Sequence, residues 1–277
     1  MDEALARSAL FSELPAATAE ELAAQVEQVP MARGDVVFRA GDRAGHLFVV
    51  LAGKVKLVQS APDGRESMAE LMGPSDQFGE LALFDEGPRT VTAVAVADGR
   101  LVRVAGPMAR QWASRPELAE RLLASVARRL RRSTERISEL TAADVPGRLA
   151  RQLLDLGARF GVARDDGTVH VTHDLTQEEL AHLVGATRET VNKTLSEFGQ
   201  RGWILAEGKA VLLLRPDLLA RRVESGCGSP PGSASSQGVG RPRPPVHPVR
   251  PTAARDQPPP WAALTRRRVP ANGLRSS

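Results

Sequence analysis

The sequence predicts an α+β protein in three parts: an N-terminal antiparallel β-roll of the jelly-roll kind, one long helix and a C-terminal winged helix-turn-helix. Three observations carry that expectation. From Gly34 to Gly106, short β-rich runs alternate with glycine-marked turns and no helical pattern intervenes, which favours an antiparallel roll or barrel over a doubly wound fold. From Glu117 to Val145 there is neither Gly nor Pro, and apolar residues recur at helical spacing. From Thr176 onward, two capped helical patterns are separated by Gly185.

Composition narrows the class. The 277 residues are 42% hydrophobic and 25% charged, enough for one or two ordinary cores. No run approaches a membrane span, and the acidic start Met1-Asp2-Glu3 is unlike a signal peptide, so a cytoplasmic protein without a membrane partner is expected. The lone Cys227 provides no internal disulfide, four-cysteine zinc site or iron–sulfur cluster. Net charge is +4, but residues 225–277 hold eight Arg against one Asp, so the tail carries +7 and the remainder −3. Any nucleic-acid contact must therefore come from a local basic surface in the folded part. That tail also holds 11 of the 20 prolines and reads as disordered. It is either an appendage without a fold or a weak nonspecific DNA attractor.

The elements follow in order. Residues 1–33 predict two short amphipathic helices, one with Leu5, Ala9 and Leu10 inward, the other running from Ala19 to Val29 with Thr18 as N-cap. Strands are expected at Val36–Phe38, Leu47–Leu51, Val55–Val58, Val91–Val96 and Leu101–Val104, with Gly53, Gly64 and Gly99 among the turn residues. The long helix carries Leu118, Leu122, Val126, Leu130, Ile137 and Leu140. At 1.5 Å per residue it reaches about 40 Å, longer than the roll needs, so part of its seam is expected to pair with a second subunit rather than pack only within its own. Its basic run, Arg128, Arg129, Arg131 and Arg132, reads as a solvated face in preference to a DNA contact. Asp144 then caps a new helix with Pro146 in its first turn, which marks a hinge. The domains implied are 1–115, 116–143, 144–224 and the tail 225–277.

Two motifs carry chemistry. In the first, Thr176-Gln177-Glu178-Glu179 is a capping box, and a second helix capped by Thr187 turns Val191, Leu195 and Phe198 inward while Arg188, Glu189, Asn192 and Lys193 share the other face. Arg188 can donate two hydrogen bonds to guanine, Glu189 can accept from a cytosine amino group, and Lys193 can reach guanine or phosphate. A helical hairpin with a salt-bridged outer face is the alternative. Trp203–Leu205 and Ala210–Leu214 then read as a β-hairpin wing. In the second, Phe78-Gly79-Glu80-Leu81-Ala82 precedes Arg89-Thr90. Gly79 lets backbone approach a ligand, Arg89 and Thr90 can hold a phosphate, and Glu80 can accept from a ribose hydroxyl. On these residues alone, an Arg–Glu surface ion pair is the competing account.

These motifs, with Arg128 to Thr134 and Asp144 to Arg148, resemble the superfamily of the cAMP receptor protein and the fumarate–nitrate regulator, above all its actinobacterial members. The resemblance spans about residues 1–224. It implies a cyclic-nucleotide-binding roll in a homodimeric transcription regulator, with cAMP between roll and long helix. Gly79 and Glu80 then lie at the ribose, Arg89 and Thr90 at the cyclic phosphate, and Ser133 and Thr134 at the adenine, with Leu81 also in the cAMP site. It further implies double-stranded DNA with pseudo-palindromic TGTGA-like half-sites, met by Thr176, Thr187, Arg188, Glu189, Asn192 and Lys193, and RNA polymerase as a partner. Lys193 stands where the best-studied members have Arg, so discrimination at one base is relaxed. A ligand-independent, nucleoid-associated protein with a vestigial pocket is the other reading. No catalytic or metal site is expected: His46, His170, His173, His182 and His247 lack zinc-ligand spacing, with His170 and His173 expected at the surface, and there is no Ser nucleophile elbow or Walker loop.

Overall fold

The computed structural model describes residues 1–12, 14–60 and 66–226. The Gly64 turn, Cys227 and nearly all of the tail therefore lie outside the described residues.

Two short helices, α1 (Glu3–Arg7) and α2 (Ala16–Ala23), lead into strand β1 (Glu27–Met31). The expected helix from Ala19 to Val29 is corrected at both ends. It starts earlier, with Pro15 rather than Thr18 at the N-cap, and Glu27–Met31 pairs instead with Gly99–Arg103. Pro30 explains the second change, because it drives the residue before it out of the helical region.

The roll is a sheet of β1, β2 (Val36–Phe38), β3 (His46–Ser60), β4 (Glu66–Met72), β5 (Gln77–Phe78) and β6 (Thr92–Ala105). Its order is β1-β6-β3-β4, with β2 on β6 and β5 on β3, all antiparallel, and it stays open rather than closing into a barrel. The four runs expected between Leu47 and Val104 fuse into two long strands. Gly53 and Gly99 do not end them. They sit at β-bulges where the strands press together, and a Cβ on Gly53 would lie 2.5 Å from the Asp98 carbonyl oxygen. Phe38, Phe48 and Phe78 fill the roll interior with Val50, Val55 and Leu101. On the outer face, Leu47, Val49 and Val102 pack under α1, α2, α4 (Gly106–Ala113) and the start of α5 (Pro116–Ala142).

The seam of α5 divides in two. Leu118 and Leu122 are buried in that outer-face core, whereas Leu123, Leu130 and Ile137, spaced by seven, are 64–70% exposed. Asp144 caps α6 (Val145–Phe160) by accepting from the Gly147 amide, with Pro146 in the first turn as expected.

Beyond it, β7 (Gly161–Ala163), β8 (Val169–Thr172), α7 (Gln177–Val184), α8 (Arg188–Gln200), β9 (Ile204–Glu207), β10 (Ala210–Leu213) and α9 (Pro216–Gly226) complete a winged helix-turn-helix. The wing joins a sheet of order β7-β8-β10-β9. Its core takes in Met68, Leu71 and Val96 from the roll. Among the described residues no helix is long and apolar enough to cross a membrane.

Candidate functional site

Arg89 is 5% exposed, and its guanidinium lies 4.2 Å from the Phe38 ring centroid. It donates to the carbonyl oxygens of Gly79 and, at 2.6 Å, His46, while its buried Nε has no partner among the described residues. Burial lowers its pKa, opposed by Glu80 and Asp42, yet a guanidinium stays charged. Among the described residues no carboxylate ion-pairs with it directly, so a desolvated cation is compensated mainly by backbone dipoles. That environment strengthens attraction to an incoming anion. Gly79 has φ +84°, and a Cβ there would meet Arg89 Nη1 at 2.8 Å, so any other residue would be strained and would displace this guanidinium.

Glu80, 2% exposed, stands at the start of the short helix α3 (Leu81–Phe84). Its Oε1 accepts from Arg129 Nη1 at 2.8 Å, and its buried Oε2 has no partner among the described residues, leaving an acceptor for a hydroxyl. Arg129 also meets Glu70 at 3.1 Å, and Arg132 meets Glu70 at 3.3 Å. The solvated-face reading of the basic run is thus corrected for Arg129. It continues the inward stripe of Leu118, Leu122 and Ser125, so helix geometry aims it at the roll. Leu81 and Thr90 are exposed, as are Ser133 and Thr134; Thr134 Oγ1 donates to the Leu130 carbonyl. The structure gathers Gly79, Glu80 and Arg89 and adds Arg129. It records no hydrogen bond from Ser133 or Thr134 to that group.

At the other end, the capping box on α7 is complete: Thr176 accepts from the Glu179 amide at 3.1 Å and the Glu179 carboxylate accepts from the Thr176 amide at 2.8 Å. Gly185 ends α7 in the left-handed region, and Thr187 caps α8 by accepting from the Thr190 amide. Arg148 clamps the turn, donating to the carbonyls of Val184, Gly185 and Ala143. Thr176, Thr187, Arg188, Glu189 and Lys193 are exposed. Asn192 departs from the expected polar face. It is half-buried, with Oδ1 enclosed against the wing side of α8. His173 is also corrected. It is 5% exposed, accepts from the Leu175 amide, and burial drives its pKa to about 4.

A cyclic nucleotide-binding domain matches residues 28–114, and a Crp-like helix-turn-helix domain matches residues 147–222. A CRP-like cAMP-activated global transcriptional regulator of Mycobacterium tuberculosis is 49% identical over 223 residues, covering 80% of this chain and 99% of the relative. The chain belongs to the CRP/FNR family of transcriptional regulators. A cyclic AMP receptor protein of Thermus thermophilus is 32% identical, covering 70% of this chain and 86% of the relative. The crystal structure of a CRP/FNR family regulator, also from Thermus thermophilus, superposes with a TM-score of 0.61 at 30% identity, over 72% of this chain and all of that one.

In this CRP/FNR regulator, sequence reasoning placed Arg129 on a solvated face and passed over two lysines of β3. Lys54 and Lys56 reach Asp174 and Glu179, 120 and 123 residues away. A local signal existed only for Arg129, as a charged residue on an apolar stripe.

Proposed function

We propose that this regulator binds DNA sequence-specifically under the control of cAMP held between the roll and α5. The buried Arg89 guanidinium carries the reading. It is desolvated, has an unpartnered Nε, and lies beside a glycine that leaves room for it. On this reading the cyclic phosphate meets Arg89 and Thr90, and the ribose meets Gly79, Glu80 and Leu81. Ser133 and Thr134 approach the adenine from α5. The exposed, heptad-spaced Leu123, Leu130 and Ile137 support a homodimer through α5.

Such a dimer presents two α8 helices to TGTGA-like half-sites about one helical turn apart, in the cytoplasm, with RNA polymerase as the further partner. Arg188, Glu189 and Lys193 meet the bases, with Thr176, Thr187 and Asn192 beside them. Effector and reading domains divide at 1–115, 116–143 and 144–224, and no chemical step is catalysed.

The test is the affinity of the full chain for such a duplex, by fluorescence anisotropy at about 150 mM salt, with and without cAMP, beside calorimetry of cAMP binding. We expect cAMP to tighten DNA binding at least tenfold. No heat of binding would overturn the pocket. Heat without a change in DNA affinity would favour a ligand-independent regulator.

A further inference from the structure

Strand β3 runs from one candidate site to the other. At its start, the His46 carbonyl accepts from Arg89 and Phe48 packs beneath the guanidinium. Past Gly53 the ladder with β6 shifts register, and a bulge of this kind re-aims the side chains beyond it. Lys54 and Lys56, two apart, then share one face of the strand, while Val55 and Leu57 enter the roll core. Lys54 Nζ meets Asp174 at 2.5 Å and Lys56 Nζ meets Glu179 at 2.6 Å.

Neither acceptor is an ordinary surface carboxylate. Glu179 is the reciprocal member of the α7 capping box. Burial pushes its pKa up, but the hydrogen bonds and charge of Lys56 and the Thr176 bonds outweigh this and hold it below the usual range. Asp174 has φ +62°, in the left-handed region. Its amide donates to the carbonyl of Lys209 in the wing turn, and its own carbonyl accepts from Arg33. One residue thus ties wing, roll and the approach to α7. All four charged side chains are 22% exposed or less, which limits screening by salt.

We propose that Lys54 and Lys56 are positioning residues that couple the effector pocket to the DNA-reading unit. They transmit the placement of β3 to the start of α7. The inference rests on the cAMP-dependent reading above, and it concerns how that dependence is carried. Neither lysine belongs to either binding surface, so their removal should spare each binding event and weaken the link between them. In a coupled system, cAMP and DNA raise each other's affinity by one shared factor.

The experiment measures that factor both ways, as DNA affinity with and without cAMP and as cAMP affinity with and without DNA. It compares wild type, Lys54→Ala/Lys56→Ala and the charge-keeping Lys54→Arg/Lys56→Arg. We expect the factor to fall at least fivefold in the alanine variant, equally in both directions, with cAMP affinity in the absence of DNA within twofold of wild type. The arginine variant should recover most of it. Should the alanine variant fold poorly, the single Lys56→Gln replaces it. A factor within twofold of wild type in these variants would overturn the coupling role. Absence of any cAMP effect in the wild type would count against the proposed function itself.

Discussion

The roll and the helix-turn-helix solve opposite problems with polar residues. In the roll, Arg89 and Glu80 are withdrawn from water, and their partners come from far along the chain: His46 is 43 residues from Arg89 and Arg129 is 49 from Glu80. On α8, Arg188, Glu189 and Lys193 stay in solvent, and the frame is fixed within three residues at each helix start, by Thr176 with Glu179 on α7 and by Thr187 with Thr190 on α8. A pocket for a small anion gains strength from desolvation, so tertiary structure has to assemble it. A surface that reads a groove needs exposure and a rigid frame, which local capping supplies. Substitutions in the roll should therefore cost ligand binding and folding together, and those of the exposed α8 side chains Arg188, Glu189 and Lys193 specificity alone.

The most severe test is Arg89→Ala. It removes the proposed phosphate contact and strips the Gly79 and His46 carbonyls of their donor. Loss of cAMP affinity beyond 100-fold is expected in calorimetry. Stability should fall as well, by about 2 kcal/mol in urea unfolding, since buried unsatisfied acceptors cost about 1–3 kcal/mol each and water can reach part of the site. Unchanged cAMP affinity would break the contrast at its strongest point.

Arg129→Ala probes the same region from the helix side. Breaking a buried pair leaves an uncompensated charge, here the Glu80 carboxylate, at a cost of about 3 kcal/mol. Arg129→Ala with Glu80→Gln should recover much of it, because the stranded charge is then gone. Urea unfolding of both variants decides. Equal losses would mean that Arg129 acts by packing its stem.

That pair also marks where sequence ceases to suffice. The caps at Asp144, Thr176 and Thr187 and the inward faces of α7 and α8 were legible because each depends on residues a few positions apart. The wing hairpin, joined through Gly208 and Lys209, was legible for the same reason. In the roll, the motif named Gly79, Glu80 and Arg89, but Glu80's partner depends on how α5 lies against the sheet. The bulges at Gly53 and Gly99 read as turns because a glycine in a strand and a glycine in a turn look alike locally. Strands β4 and β5 escaped notice because Glu66, Ala69 and Glu70 are poor strand formers and β5 is only two residues long, each strand being held by pairing with β3.

On α8 the expected effects are smaller and of another kind. Arg188→Ala should cost about 2 kcal/mol at the half-site guanine it faces, and little on a duplex altered at that base. Competition binding across single-base variants measures it. Uniform weakening on every sequence would make Arg188 a phosphate contact. Thr187→Ala should lower stability by about 1 kcal/mol through loss of the cap, and a loss far above that would show that the α8 frame is not local after all.

The smallest effect sits at the boundary between the two regions, where buried His173 precedes Asp174. The folded pKa of His173, about 4, lies below the unfolded value of 6.5. The unfolded chain thus binds a proton that the native state refuses, and stability falls as pH drops through 6.5 toward 4. Between about pH 7 and pH 6 this amounts to about 0.7 kcal/mol from this residue. His173→Gln should remove that increment from the pH dependence of urea unfolding. An identical slope in wild type and variant would mean that water reaches His173, and that the roll and the reading domain are packed less tightly there than the half-buried ion pairs of Lys54 and Lys56 imply.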